Sequence, residues 1–279
     1  MRRLLEEGVD IYNKEVSMVS PWLCICIILA IPKPEGSSVT LLDAYTKCVK
    51  FTLLYIYIDN YLDRKDISRE SKKEFMVWMR DPTTITCNVL CVKLLRIKEE
   101  LESYHPNAKV WLQQLTDNTI ESVITQYTPG IAKKCLKSMC FDKGSITLLV
   151  IYRLIYGDQT REEATIATLG SCVQLLDDIV DCTDDISNGI NTYCTRTLKK
   201  SIYMDRCAKV LSRMLDSLDN IQDYCCIVSV IRIALRYTVM RSNYFSIKQR
   251  LAMRLPPYCV KTLPSFLQIV DTQLRSNTK

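Results

Sequence analysis

The sequence predicts an all-α fold, and three observations carry that expectation. Apolar residues recur at intervals of three and four along most of the 279 residues, the period of a helix with one buried face. No stretch sustains the two-residue alternation of a half-buried strand. Only seven glycines occur, and nine prolines are scattered along the chain, as suits long helices joined by short breaks.

The first element is the apolar stretch from Pro21 to Ile31, ended by Pro32 and Pro34. It is about a dozen residues long against the ~20 that cross a bilayer, so it is expected as a buried helix and no transmembrane segment is predicted. A signal peptide is not expected either, since Glu6, Glu7, Asp10 and Glu15 precede the stretch and no small-x-small cleavage site follows it. Helical periodicity then runs over Leu41 to Leu62, Ser71 to Met79, Thr86 to Leu101, Val110 to Ile124 and Ile146 to Tyr156. It resumes over Glu162 to Val180, Ile202 to Leu218, Cys225 to Phe245 and Thr262 to Leu274. Breakers separate these segments: Pro32 to Ser38, Asp81-Pro82, His105-Pro106, Pro129-Gly130, Gly157-Asp158, Ser187-Asn188-Gly189 and Pro256-Pro257. No low-complexity linker divides the chain and no 20–50-residue period repeats, so a single helical domain spanning 1–279 is the expected organisation.

Rare residues exclude several chemistries. No G-x-G-x-x-G or G-x-x-x-x-G-K occurs, which removes the dinucleotide fingerprint and the P-loop. His105 is the only histidine, which removes two-histidine zinc sites and most Ser-His-Asp triads. Fourteen cysteines fall mostly inside apolar runs such as Leu23-Cys24-Ile25-Cys26-Ile27 and Tyr224-Cys225-Cys226-Ile227, and no C-x-x-C pair exists. They are expected as buried free thiols in a reducing, cytoplasmic compartment. Thirty-seven basic against thirty-one acidic residues leave a net charge of +6. The pairs Lys72-Lys73, Lys133-Lys134 and Lys199-Lys200 are not extended by aromatics into a nucleic-acid-binding run, and are expected as solvated helix faces.

Two acidic clusters carry the functional signal. Asp59 and Asp63 stand four apart at the end of the apolar helix that contains Tyr55, with Asp66 three further on. Alone, that pattern also describes the wet side of a fraying helix end. The second cluster, Asp177-Asp178-Ile179-Val180-Asp181-Cys182-Thr183-Asp184-Asp185, holds five aspartates in nine residues and begins inside a helix. Aspartate is a poor helix former. At i, i+4 and i+8, Asp177, Asp181 and Asp185 are expected to stack along one stripe, where like charges destabilise a helix by a few tenths of a kcal/mol per pair. A hard dication offsets such repulsion: Mg²⁺ takes carboxylate oxygens and completes its shell with water and substrate phosphate oxygens. Two acidic faces more than a hundred residues apart can oppose one another across a helical bundle and hold metal between them.

At these residues the chain resembles the class I isoprenoid synthases. Asp59-Asn60-Tyr61-Leu62-Asp63 is similar to their first aspartate-rich motif, with Asn60 in place of the usual second aspartate. Gln174-Leu175-Leu176-Asp177-Asp178-Ile179-Val180-Asp181 is similar to their second, Q-x-x-D-D-x-x-D. In the register of the terpene cyclases, (N/D)-D-x-x-(S/T)-x-x-x-E, the chelating positions are Asp177, Asp181 and Asp185, two of them departing from the pattern. Upstream, Lys143-Gly144-Ser145 opening a helix to Tyr156-Gly157, then Leu169-Gly170 and Gln174, resembles the order that leads to the second motif in prenyltransferases. The likeness covers about residues 45 to 195.

The resemblance implies a large antiparallel helical bundle with a central active-site cavity. It implies Asp59, Asp63, Asp177, Asp181 and Asp185 as ligands of about three Mg²⁺ ions, or of Mn²⁺, that bind and ionise a prenyl diphosphate. Lys143 and the pair Arg236-Tyr237, similar to a terminal R-Y pair of terpene cyclases, become candidates for binding the diphosphate, with Arg241, Asn243-Tyr244 and Lys248 as competitors. Phe51, Tyr55, Tyr152 and Tyr237 become candidates to face the carbocation, although such rings are more often plain core. Neither a G-K-x-x-R-P nor an R-R-G signature is present, since Asp63 is followed by Arg64-Lys65-Asp66. The expected activity is therefore a cyclase acting on one farnesyl or geranylgeranyl diphosphate, with no nucleic-acid partner and with a homodimer as a compatible assembly. Three alternatives stay open: a condensing enzyme of the trans-prenyltransferase or squalene/phytoene synthase kind, a catalytically silent helical interaction protein, and a metal-dependent phosphohydrolase.

Overall fold

The computed structural model describes residues 31–63, 67–83, 89–158, 162–200, 202–219 and 221–252, apart from the side chains of Ile56, Asp59, Asn60, Asp63, Val89, Gln222, Leu251 and Ala252. Among these the regular structure is helical throughout, with no strand. In chain order the helices are α1 Leu41–Asp63, α2 Arg69–Arg80, α3 Val89–Glu102, α4 Ala108–Tyr127, α5 Lys133–Tyr156 and α6 Glu163–Val180. There follow α7 Cys182–Asn188, α8 Tyr193–Lys200, α9 Asp205–Leu218, a 3₁₀ turn Gln222–Tyr224, α10 Cys225–Arg241 and α11 Ile247–Ala252. The Pro21 to Ile31 stretch, Ile31 aside, and the helix expected over Thr262 to Leu274 lie outside the described residues.

Helices α5 and α6 form the centre. Helices α1, α4 and α8 pack on α5, while α9 and α10 pack on α6. The central pair runs antiparallel, since Phe141 meets Ser171 while Ser145, four residues on, meets Ala167. Gly144 and Gly170 set their separation. A Cβ on Gly144 would lie 2.2 Å from the carbonyl oxygen of Gly170, and the reverse substitution would meet the Gly144 oxygen at the same 2.2 Å. Along this seam the Ser145 hydroxyl donates to the Ala167 carbonyl at 2.8 Å and the Ser171 hydroxyl to the Phe141 carbonyl at 3.0 Å, with 2.8 Å between the two hydroxyl oxygens. Backbones this close leave no room for side chains, so hydroxyl-to-carbonyl bonds take the place of apolar interdigitation.

Several expected boundaries shift. Helix α5 begins at Lys133, thirteen residues before the expected start at Ile146, so Lys143-Gly144-Ser145 lies in mid-helix and does not open one. Its true start follows the Pro129-Gly130 break, and Leu136, Cys140, Gly144 and Leu148 already repeat every four residues on its buried side. The helix expected to Phe245 ends at Arg241. Helix α8 was not expected: it is short, and it is nucleated by a reciprocal cap. The Thr192 N–H donates to Thr195 Oγ1 (2.8 Å) and the Thr195 N–H to Thr192 Oγ1 (3.2 Å), a capping box with threonine where Glu or Gln is usual. The lone histidine is structural. His105 stacks on Trp111 at 4.6 Å between ring centres, and its Nδ1 accepts the Asn107 N–H at 3.1 Å.

The thiols follow the expectation in part. Cys48, Cys91, Cys140, Cys172, Cys182, Cys194 and Cys207 are buried and free, whereas Cys135, Cys225 and Cys226 are exposed. Cys225 and Cys226 form the first turn of α10, whose buried side is Ile227, Val228, Ile231, Leu235 and Val239. Burial pushes the Cys48, Cys172 and Cys182 thiols up to about 12, far from the thiolate that alkylating reagents attack. Brief iodoacetamide treatment of the native protein followed by peptide mass mapping should therefore label Cys135, Cys225 and Cys226 and spare the seven buried residues. Gly144→Ala and Gly170→Ala should each destabilise the fold by about 3 kcal/mol or prevent folding, because neither backbone oxygen can move aside. Gly130→Ala, where nothing lies within 4 Å and only the positive φ of 74° is violated, should lose about 1–2 kcal/mol, as read from urea denaturation.

Candidate functional site

The acidic run at the end of α6 crosses a helix junction. Helix α6 ends at Val180, Asp181 serves as the hinge with φ −87° and ψ 1°, and α7 begins at Cys182. The four-residue register survives the break, since the Asp181 N–H donates to the Asp177 carbonyl and the Asp185 N–H to the Asp181 carbonyl, both at 2.9 Å. Asp177, Asp181 and Asp185 thus follow one another a turn apart, the first two exposed and the third half-buried. The run ends at Gly189, whose φ of 73° suits glycine, and there the Ile190 N–H reaches back to the Asp185 carbonyl at 2.9 Å.

Asp178 takes a different position. It is buried, at 6% exposure, between α6 and α5. The Gln174 amide donates to its Oδ1 at 3.1 Å and reaches Asp177 Oδ2 at 3.4 Å, so one side chain spans both aspartates of the pair. Asp178 Oδ2 has no hydrogen-bond partner. Burial pushes this carboxyl up, against the opposing pull of the Gln174 amide, the Lys143 ammonium and the adjoining Cys140 thiol. The Cys140 thiol is itself pushed up, first by burial and then by the negative charge of Asp178.

Lys143 joins this cluster to α1. Its ammonium lies 5.8 Å from the centre of the Tyr55 ring, one turn before Asp59, while its charge bears on Asp178. The Asp59 and Asp63 side chains lie outside the described residues; their backbone forms the last turns of α1. Beside that turn a narrow cleft of about 30 Å³ is lined by Phe51, Leu54, Tyr55 and Ile58 of α1, with Trp78 and Met79 of α2. That is room for roughly two waters. The cleft lies among α1, α2, α3 and α4, and none of its lining comes from α5 or α6.

The remaining candidates are not gathered at this point. Arg236 is exposed, and Tyr237 is held on its own helix by Arg241, whose guanidinium both bonds the Tyr237 hydroxyl and lies 5.3 Å from its ring centre. Of the four rings expected to face a cation, Phe51 and Tyr55 line the cleft. Tyr152 instead donates to the Pro32 carbonyl at 3.3 Å and packs on Tyr156, and burial pushes its phenol up to about 12.

For Mg²⁺, the donor set is chemically apt: hard carboxylate oxygens, one of them buried without a partner. Among the described residues, however, no three His, Cys, Asp or Glu side chains approach closely enough to hold an ion. Asp177, Asp181 and Asp185 lie along one stripe across the α6–α7 junction, and the side chains of Asp59 and Asp63 lie outside the described residues. Gln174 and Asp178 are the site residues that sequence reasoning left without a role. The available signal was Ser171, Leu175 and Asp178 at i, i+4 and i+7, which share the stripe that meets α5.

No family model, curated protein or solved structure matches this chain.

The Asp178 environment has a pH signature. Because burial raises its pKa above the ordinary 3.8, the folded state keeps this proton to higher pH than the unfolded chain does. Stability from this group is full below the unfolded value and falls as pH rises toward the folded one. In chelating buffer, Asp178→Asn should therefore gain stability relative to the parent as pH is raised through this window, and denaturation midpoints that run parallel for the two proteins would refute the assignment.

Proposed function

We propose that the protein is a Mg²⁺-dependent class I terpene synthase that ionises one prenyl diphosphate, farnesyl or geranylgeranyl, and releases a cyclic hydrocarbon or alcohol. The observation that carries this reading is the convergence at Lys143. The Lys143 charge bears on Asp178, which shares the Gln174 amide with Asp177, and its ammonium lies 5.8 Å from the ring centre of Tyr55, a turn before Asp59.

In this reading Asp177, Asp181 and Asp185 would hold metal from one side and Asp59 and Asp63 from the other. Bound Mg²⁺ would supply Lewis-acid stabilisation of the departing diphosphate. Lys143 adds a point charge beside the same oxygens, where a low-dielectric wall strengthens it. Gln174 fixes the orientation of Asp177 by spanning it and the buried Asp178. Phe51 and Tyr55 present aromatic faces in an apolar, water-poor slot, the surroundings that a carbocation needs if it is to cyclise before water captures it. A prenyl tail enters only if the slot widens around Phe51, Ile58 and Met79.

The narrowness of the cleft, together with Asn60 in the first motif, favours one other reading: a helical interaction protein that keeps the fold without turnover. Incubation with farnesyl or geranylgeranyl diphosphate and Mg²⁺ separates the two. Cyclic product in the extract or headspace, with a loss of about 10²–10³-fold in Asp177→Ala at unchanged helicity, is the expected result. Free prenyl alcohol alone would indicate a phosphohydrolase, and no consumption at all a silent protein. Adding isopentenyl diphosphate should change nothing, and an elongated or head-to-head product would replace the cyclase with a condensing enzyme.

A further inference from the structure

Outside this site, the connection from α8 to α9 is fastened to the start of α11. The Met204 N–H donates to the Tyr244 carbonyl at 2.8 Å. The Ser246 N–H donates to Asp205 Oδ1 at 2.9 Å, and the Ser246 hydroxyl donates to the other oxygen of the same carboxylate. These bonds bring Ile202, Tyr203 and Ile247 to one part of the surface. Ile202 is 83% exposed, more than any other large apolar residue among the described residues, and Ile247 is 68% and Tyr203 41% exposed. Between them Met204 and Phe245 are wholly buried. The core thus takes one apolar residue from each segment and leaves the isoleucines in water. Apolar residues exposed singly are ordinary, but three on two segments joined by hydrogen bonds form a patch.

The surroundings of the patch are basic. Residues 199–213 carry Lys199, Lys200, Arg206, Lys209 and Arg213, all exposed, and a single acid, Asp205, which is engaged by Ser246. Residues 241–252 add Arg241, Lys248 and Arg250 and no acid. None of the first five forms an ion pair with a described carboxylate. Arg206, Lys209 and Arg213 follow one another at i, i+3 and i+7, an exposed stripe of α9 whose buried side is Cys207, Ala208, Leu211, Leu215 and Leu218. Lys199 and Lys200 occupy the last turn of α8, the end of a helix where cations are stable.

Basic charge alone would suit any polyanion, and the isoleucines decide among them. The phosphate backbone of a nucleic acid offers an isoleucine nothing to pack on. An anionic bilayer takes both features, with the cations among its head groups and the apolar side chains just beneath them. A tyrosine beside them suits the same boundary, its ring in the apolar layer and its hydroxyl in the polar one. We propose that Ile202, Tyr203 and Ile247, with the cations of α8 and α9 around them, dock the protein on the surface of an anionic lipid bilayer. Among the described residues no helix is long and apolar enough to cross a membrane, and a surface contact requires none. The contact needs neither metal nor turnover, so it stands or falls independently of the terpene synthase reading.

The test sediments the full chain, in EDTA, with vesicles of phosphatidylcholine alone or of phosphatidylcholine mixed with phosphatidylserine. Capture should require phosphatidylserine and weaken as salt is raised. The pair Ile202→Ser and Ile247→Ser should weaken capture about tenfold, and the pair Lys200→Gln and Lys209→Gln by about the same factor. All four side chains are exposed, so both double variants should melt with the parent. Val110→Ser is the control. Val110 is 67% exposed, but it lies in the first turn of α4, near the end of α5 where His105 approaches Gly157, whereas Tyr193 of α8 meets Lys133 at the other end. This variant should bind as the parent does. The proposal is overturned by no capture, by equal capture on phosphatidylcholine alone, or by a loss in Val110→Ser equal to that of the isoleucine pair. A loss confined to the lysine pair, with the isoleucine pair binding as the parent does, also overturns it and leaves a surface that reads charge alone, as a nucleic-acid contact would.

Discussion

The arrangement of the site depends on the contact between Gly144 and Gly170. Two helices whose backbones touch cannot slide or rotate by the amounts that ordinary ridge-and-groove packing tolerates, because the nearest atoms are carbonyl oxygens and not side-chain ends. Ser145 and Ser171 lock the same register with hydroxyl-to-carbonyl bonds. One turn beyond Gly170 stands Gln174, and the contact places it, with Asp177 and Asp178, at a defined height beside Lys143. The polar residues of the site are positioned by the smallest residues of the core.

That positioning has an energetic consequence at Asp178. A carboxyl group placed in a buried seam with one unsatisfied oxygen is destabilising unless it is protonated or given a partner. Lys143 is the nearby cation, and it faces two demands, since it also lies over Tyr55. Closely packed helices can carry such a cost only because the rest of the core is conventional: Leu169, Leu175 and Ile179 on α6, and Leu136, Ile151 and Leu154 on α5, are nearly or wholly inaccessible. Among the described residues, buried polar atoms without a partner also occur at Trp78, Asn118 and Arg196, but only at Asp178 is the group a carboxyl.

The helical character and most element boundaries were legible because proline and glycine punctuate this chain cleanly. Pro129-Gly130 and Gly189 end elements where expected, and α1, α2, α4 and α6 fall within a few residues of their apolar periods. The first half of α5 was illegible because Lys133, Lys134, Lys137 and Lys143 dilute its apolar period, although the buried stripe at Leu136, Cys140 and Gly144 was already present. Cys225 and Cys226 misled for the converse reason: they are apolar by type but occupy the first turn of a helix whose buried side begins at Ile227. In the site, the aspartate spacing was readable and survived the junction at Asp181. The inward turn of Asp178 was not, because adjacent residues on a helix differ by about 100° and only the partner helix decides which of two aspartates meets it.

The antiparallel central pair also explains why opposite charges concentrate at one end of the protein. The C-terminus of α6 and the N-terminus of α5 lie at the same level, so Asp177 to Asp185 and Lys133 to Lys137 are near neighbours in height along the bundle. Each set opposes its own helix dipole, acids at a carbonyl end and lysines at an amide end. Direct pairing would resolve both, yet among the described residues no ion pair joins Lys133 to the acidic turn, and Lys133 instead lies over the Tyr193 ring of α8.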